Sequence, residues 1–545
     1  MEIAEIRDLD GPNLFMRRPA IKLEVDAGSE RPEVAKAFAT AFAVGESSDD
    51  RERVPVGIDR LAVLLTEVLN ALHDRVGVDR PQVETRRMET PYHVAAAFSW
   101  THRPFAMDLA QATFDIVSGS LEDLDVRIAG LGALAAQEPS AEDRPAMLAD
   151  ADRRVPVIGI TGTNGKTTTT RLIAAILMES GRRVGWTSSS GVVVQGETVL
   201  EGDFTGPAGA ARVFEEPDLD VAVLETARGG ILLRGLGYQS NDVSVVTNVS
   251  ADHLGLQGVH TVEELARVKR VVAEVTKSDG FAVLNAGDPL ALAMREGLQA
   301  RPFLIARDHN NPAVLAHIEV GGWALWAETG LVHFSHDGKR DVLTDLNDIP
   351  ITLGGKAVHM LENALCAAAA TLALGLDLDE VRTGLAKFRN EVGQNRGRLN
   401  VFEVEGVTVV VDFAHNAAGL NHLLDVGRGL AGSQGRLIAV IGSAGDRPDD
   451  GLTELGRLAG ERADVVIAKD TVKYLRGRAS GDILRLMLDG AAQANHQNVL
   501  TDPTEIDAFE RSMALAAAGD AVVIMCIEDI DRILDHLTDA GTPVS

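Results

Sequence analysis

The chain has 545 residues, 52 of them Lys or Arg and 80 Asp or Glu, giving a formal net charge of −28. At about 150 residues per domain the length predicts roughly three to four domains, and 45% hydrophobic with 24% charged residues excludes an acidic disordered chain. The charge excludes a general nucleic-acid or membrane-surface binder, which needs a basic face, while leaving room for one small cationic pocket that takes a phosphate ligand.

Residues 1–135 form the first predicted stretch, with a strand over Leu14–Val25, a helix over Gly57–Val76 and a turn at Gly11-Pro12-Asn13-Leu14. Residues 136–154 are polar, contain two prolines and read as a linker. A buried strand over Val155–Ile160 then runs into Gly162-Thr163-Asn164-Gly165-Lys166-Thr167-Thr168, and a helix over Thr168–Ser180 follows. Further apolar runs at 221–224, 243–246, 281–284 and 303–306, separated by helical patterns, predict a mostly parallel sheet with helices on both faces. From about residue 400 the same grammar repeats, with strands at 407–411, 437–441, 465–468 and 522–525 and an acidic helix over 528–537 closing the chain. Cys366 and Cys526 are too few for a disulfide framework or a four-cysteine zinc site, and both lie in apolar runs as buried small residues. The polar opening MEIAEIRDLDGPN and the lack of an apolar run of about 18 residues predict a cytoplasmic protein.

Strand, glycine loop, Lys-Thr and helix together make a phosphate cradle. Glycines let backbone N–H groups approach phosphate oxygens, and the helix N-terminus adds its partial positive charge. Lys166 can bridge β- and γ-phosphates and the Thr167 hydroxyl can ligate Mg²⁺. The general pattern G-x-x-x-x-G-K-[ST] places glycine at position 160, where this chain has Ile160, so the tighter form G-T-N-G-K-T stands here. Glu225, ending one predicted strand, and the Asp252-His253 pair after the next are placed for metal contacts at the ligand edge of a parallel sheet. Lys269, on a predicted helix over Val262–Val275, reads from its own surroundings as a solvated lysine.

The order of GTNGKTT, Glu225, Asp252-His253, Lys269, Arg398 in Asn395-Arg396-Gly397-Arg398, and Asp412-Phe413-Ala414-His415-Asn416 resembles the Mur ligases. That family includes UDP-muramoyl-peptide ligases, folylpolyglutamate synthetases and cyanophycin synthetases, and joins a carboxylate to an amine through an acyl phosphate made from ATP. Within it, Glu225-Thr226-Ala227-Arg228-Gly229-Gly230-Ile231, Arg234-Gly235-Leu236-Gly237-Tyr238 and Gly202-Asp203-Phe204-Thr205-Gly206-Pro207 resemble the Mur-like half of cyanophycin synthetases. Glu362-Asn363-Ala364-Leu365, Gly445-Asp446-Arg447, Leu475-Arg476-Gly477-Arg478 and the opening Gly11-Pro12-Asn13 fit the same pattern.

The resemblance implies an α/β chain of three units: an α+β N-terminal accessory domain (1–135), a P-loop Mur ligase central domain (155–397) and a Rossmann-like C-terminal α/β domain (398–545). It implies ATP and Mg²⁺ as cofactors. Gly162, Thr163, Asn164, Gly165, Lys166, Thr167 and Thr168 would hold the nucleotide, joined by Asn363, Arg398, Asp412, His415 and Asn416 as the domains close on a hinge near 395–402. Thr167, Glu225 and His253 would contact the metal; Lys166, Glu225, His253 and Lys269 would be catalytic, Lys269 as the family's carbamylated lysine; Asp446 and Arg447 would help bind the incoming amino acid. Expected partners are an amino acid and a carboxylate or peptide substrate, with neither nucleic acid nor membrane, in a monomer or homo-oligomer.

Cyanophycin synthetases carry an ATP-grasp module between the N-terminal domain and the Mur-like half, and only residues 136–154 stand there in this chain. The expectation is therefore the amide-forming chemistry of the Mur-like half alone. A homologue that binds polymer or peptide in a regulatory role, without turnover, is the alternative.

Overall fold

The computed structural model describes residues 1–28, 58–88, 90–119 and 124–544. Its first unit is an antiparallel sheet of β1 (Glu2–Leu9), β2 (Ala20–Asp26), β3 (Val83–Arg87) and β4 (His93–Ser99), ordered β1-β2-β4-β3. Alternation puts Ile21, Leu23 and Val25 of β2 and Val94, Ala96 and Phe98 of β4 on one face, in one core with Leu61, Leu65 and Leu69 of the helix Ile58–Val76 and Leu109 and Ile116 of the helix Arg103–Ser118. The strand expected from Leu14 begins only at Ala20. Asn13 folds the preceding residues into a turn: its Nδ2 donates to the Gly11 and Arg18 carbonyls at 2.9 Å each, and its Oδ1 accepts from the Phe15 N–H at 2.9 Å. Of the helix expected over 57–76, Gly57 lies outside the described residues and the rest is helical.

The second unit contains β5 (Val157–Thr161), β6 (Val184–Ser188), β7 (Gly191–Val194), β8 (Glu197–Glu201), β9 (Val221–Glu225), β10 (Asn241–Val246), β11 (Thr276–Asn285), β12 (Arg301–Ala306), β13 (Trp323–Glu328), β14 (Leu331–His336) and β15 (Lys339–Asp345). They form one sheet in the order β15-β14-β13-β12-β11-β10-β5-β9-β6-β7-β8, parallel from β13 to β6 and antiparallel at both ends. The parallel strands are apolar runs because helices bury both faces, as the two separate cores flanking the sheet require. After β5 the chain winds to β6 and β9 on one side, then to β10, β11 and β12 on the other. The carboxyl end of β5 is thus a topological switch point, the crevice where open α/β sheets bind ligands.

The third unit holds β16 (Asn400–Val404), β17 (Val407–Asp412), β18 (Leu437–Ile441), β19 (Val465–Lys469), β20 (Val499–Asp502), β21 (Ala521–Met525) and β22 (Thr542–Pro543), ordered β20-β19-β18-β21-β17-β16-β22 and parallel from β20 to β17. The acidic helix expected to close the chain runs over Ile530–Ala540, and β22 follows it to pair with β16. Both cysteines are buried. No helix among the described residues is long and apolar enough to cross a membrane.

Two of the quoted motifs meet in space and join the first unit to the second. The Asp10 N–H donates to the Arg234 carbonyl at 2.7 Å, and the Leu236 N–H donates to the Pro12 carbonyl at 2.8 Å. A Cβ on Gly11 would overlap the Leu236 carbonyl oxygen, and one on Gly235 would meet the Gly11 carbonyl. Residues 136–154 bridge the two units rather than spanning open space: the Asp143 carbonyl accepts from the Arg103 N–H of the first, while the Leu148 N–H donates to the Gly237 carbonyl and the Ser240 hydroxyl to Asp150 in the second.

Candidate active site

The loop after β5 carries two glycines that no other residue replaces. Gly162 has φ 153° and would press a Cβ into the Thr247 hydroxyl; Gly165 has φ 84° and would press one into the Asn363 amide. Gly165 then opens the helix Lys166–Glu179, whose first N–H groups are left for a ligand. The loop is held from outside: the Asn164 N–H donates to Asn248 Oδ1 at 2.9 Å, and the Thr247 hydroxyl donates to the Asn164 carbonyl at 2.7 Å. Lys166 Nζ folds back on the Thr163 carbonyl at 2.9 Å.

Beneath this loop the structure departs from the solvated lysine. Lys269 is buried, and its Nζ donates to the Gly162 carbonyl at 2.6 Å. Leu265, Val268, Lys269 and Val272 share one helix face, so the spacing itself puts this lysine inward. Burial, then the nearby charge of Lys166, pushes its ammonium pKa far down. Glu225, at the end of β9, is 3% exposed and its Oε2 has no hydrogen-bond partner. Burial raises its pKa, with Lys166, a hydrogen bond from Thr167 and Arg398 opposing. The Thr167 hydroxyl lies 3.2 Å from Ser189 Oγ. An unpartnered buried carboxylate oxygen with hydroxyls beside it fits a hard divalent cation such as Mg²⁺.

The C-terminal unit closes the pocket from above. Lys166, Thr167, Thr168 and Asn363 line one side; Arg398, Asp412 and His415 line the other. The Leu399 N–H donates to Asp412 at 2.8 Å, and the Arg398 guanidinium lies 4.5 Å from the Phe413 ring centre. Asn416, the N-cap of the helix Ala417–Leu430, does not line the pocket but exchanges amide hydrogen bonds with Asn164 across the domains, at 3.1 and 3.4 Å.

His253 does not sit beside Thr167 and Glu225. With φ 52° it turns toward the C-terminal unit, 3.3 Å from Asp446 and 3.9 Å from Asp252. Arg447 pairs with Asp252 at 2.5 Å, and His415 Nε2 is 4.0 Å from the same carboxylate. Asp252, His253 and His415 offer ligand atoms within 4.8 Å of one another. The hydrogen bond from His253 pulls the Asp446 pKa down to about 2, and burial pulls His415 down to about 4, so this imidazole is neutral at pH 7.

Two pocket residues, and Arg171 at its edge, were absent from the sequence reading. His359 and His422, from helices of different units, stack with ring centres 4.9 Å apart at the pocket's far end, and burial pulls His359 down to about 3. Nothing local in the sequence pairs them. Arg171 had a signal: it lies one helical turn beyond Thr167, on the same face.

Two family models match the second and third units in part. The family model for the Mur ligase middle domain matches residues 160–371, and that for the Mur ligase glutamate ligase domain matches residues 397–526. Cyanophycin synthetase from Crocosphaera subtropica is 40% identical over 374 residues, covering 68% of this chain, while the chain spans only 42% of that enzyme's length. Among solved structures, E. coli FolC in complex with DHPP and ADP superposes with a TM-score of 0.53 at 22% identity, covering 70% of this chain and 89% of that one. The bifunctional folylpolyglutamate synthase/dihydrofolate synthase of Yersinia pestis, complexed with AMPPNP and Mn ion, gives a TM-score of 0.52 at 20% identity with the same coverage of 70% and 89%. These structural likenesses show that the fold of the central and C-terminal units is shared.

Proposed function

We propose, from the premise that the chain belongs to the Mur ligase family through its middle and C-terminal domains, that it is an ATP-dependent ligase. It activates a carboxylate as an acyl phosphate and couples it to an amino-acid amine, releasing ADP and phosphate. One observation carries this reading: the phosphate loop and the C-terminal residues Arg398, Asp412 and His415 face each other across a single pocket. ATP would lay its phosphates on the helix N-terminus at Lys166–Thr168 and its base toward Met360, His359 and His422. The Yersinia pestis relative carries AMPPNP and Mn ion, the nucleotide and cation chemistry assigned here.

A carboxylate oxygen attacks the γ-phosphorus, and the bond to the ADP oxygen breaks. An anion approaches an anion, so charge neutralisation and positioning dominate the barrier. Lys166 and Arg398 supply fixed positive charge. Mg²⁺, held by Thr167 and Glu225, would add its own charge when bound; His253, the third ligand the resemblance implies, faces Asp446 instead. A neutral amine nitrogen then attacks the acyl carbon, phosphate leaves, and the amine's proton passes to a nearby base. Asp446 and Arg447 stand on the C-terminal side, where an amino acid would present its ammonium and carboxylate groups. The substrates and roles of the longer cyanophycin synthetases are carried over only as this ligation step, because the chain matches part of their length.

The test incubates the full chain with ATP, Mg²⁺ and pairs of amino acids and short Asp-containing peptides. ADP release that requires both a carboxylate and an amine, with amide in the product, is the expected result. ATP binding with no acceptor-stimulated hydrolysis across the panel would replace the ligase with a binding homologue that has lost turnover. Phosphorylated product without amide would make it a kinase.

Lys269 completes the proposal. Burial and the Lys166 charge disfavour its ammonium form, and the free amine can add CO₂, forming an N–C bond and releasing a proton; the carbamate so made is a carboxylate beneath the phosphate loop. Lys269→Ala should lower turnover by about 10²-fold or more, with partial rescue by acetate or formate. Full activity of that variant, or of the wild type in CO₂-free buffer, argues against a carbamate.

A further inference from the structure

Two arginines meet at the hinge side of the site without a carboxylate in contact with either among the described residues. Arg171 donates from Nη2 to Ser190 Oγ at 3.0 Å, and from Nη1 to the Arg396 carbonyl at 3.0 Å and Asn395 Oδ1 at 3.4 Å. Arg398, from the opposite side, donates from Nη2 to Ser189 Oγ at 3.4 Å. Among the described residues neither guanidinium has an acidic oxygen within 4.0 Å, although the chain carries 80 acidic residues and most of its other arginines are ion-paired. Burial, then the charge of Arg398, pulls the Arg171 pKa down to about 10. Asp412 acts on Arg398 and Glu225 acts on both, each from beyond contact distance, and the Glu225 carboxylate is the one assigned to the metal, which leaves Arg171 the less compensated of the two.

A pair of partly buried cations compensated only at a distance is costly, and that cost is recovered when an anion enters. Guanidinium forks with serine hydroxyls present several N–H and O–H donors to one set of oxygens. Arg171, Ser189 and Ser190 lie outside the residues lining the nucleotide pocket, while Arg398 borders both places. We propose that Arg171, Arg398, Ser189 and Ser190 form an oxyanion subsite, separate from the phosphate loop, that takes a carboxylate or a phosphoryl group. The inference rests on the ligase reading only in naming the two sources of that oxyanion: a carboxylate of the acceptor, or the phosphate split from ATP.

The experiment is calorimetric titration of the full chain, loaded with ADP and Mg²⁺, with inorganic phosphate and, separately, with the dipeptide Asp-Asp. Wild type is expected to bind at least one of them, Arg171→Gln at least about tenfold more weakly, and Arg171→Lys between the two, with ADP affinity unchanged within about twofold and the circular dichroism spectrum preserved. Loss confined to phosphate assigns the subsite to the phosphoryl group; loss confined to Asp-Asp assigns it to an acceptor carboxylate. Equal anion affinity in wild type and Arg171→Gln, no binding of either anion by the wild type, or a matching loss of ADP affinity would each overturn the subsite. If wild type fails to bind ADP, the ligase reading falls, and the same titrations on the unloaded chain still decide the subsite.

Discussion

Replacing Lys166 by alanine is expected to lower ATP-dependent amide formation by about 10³-fold or more, with little change in thermal stability. The lysine is a charge on a flexible stem whose ammonium hydrogen-bonds the Thr163 carbonyl, and its removal takes a counter-charge from Glu225 while relieving the like charge beside Lys269, so the two effects on the fold offset. The loop around it stays held by Asn248 and Thr247 through the Asn164 backbone. In the proposed reaction a cation facing the transferring phosphoryl group is lost, and the hydroxyls of Thr167 and Thr168 carry no charge to replace it. Coupled measurement of ADP release and amide product, beside a melting curve, separates these effects. Near-wild-type ligation by the variant would remove the phosphate loop from the mechanism.

The second large effect is on stability and lies away from the nucleotide. Lys469 ends β19 and is wholly buried, as is its partner Glu505, with Nζ 2.5 Å from Oε2. The same carboxylate accepts the backbone N–H groups of Ile527 and Glu528 at 3.0 Å and of Asp529 at 2.8 Å, and the Cys526 thiol at 3.0 Å. Glu505 therefore organises the turn after β21 while balancing a buried ammonium. Burial opposes its ionised form, but Lys469 and these donors hold its pKa below the ordinary glutamate value. Glu505→Ala should destabilise the C-terminal unit by about 3–5 kcal/mol, because it leaves a buried charge and three amides unpaired. Glu505→Gln, which keeps the shape and loses the charge, should fall between. Denaturant unfolding followed by a probe in the C-terminal unit checks both; a loss for Glu505→Ala below about 1 kcal/mol would mean that the pair is not desolvated.

What the sequence disclosed depended on how local each signal is. The phosphate loop was legible because strand, glycines, lysine and helix are contiguous, and the chemistry of each is fixed by its neighbours. The central strands β5, β9, β10, β11, β12, β17, β18, β19 and β21 were legible as apolar runs, since a parallel strand buried on both faces has no polar side to disguise it, whereas β6, β13, β20 and the antiparallel edge strands were not read. Asn13 hid the true start of β2, because its side chain overrides the apolar pattern of residues 14–16. Lys269 showed its inward position only through helical periodicity, against the usual solvation of lysine. The turn of His253 toward Asp446, and the stacking of His359 on His422, arise where two units close on each other, and no window of sequence contains both partners.

The interlock between Gly11 and the Gly235-Leu236 turn has a consequence for descent. At each glycine the obstacle to a side chain is backbone of the other unit, which cannot swing aside as a flexible side chain would. Replacement at one position thus demands a shift of the facing strand ends, not a compensating exchange at the other. Exchange of the N-terminal unit between relatives should succeed only when the Arg234–Gly237 turn travels with it.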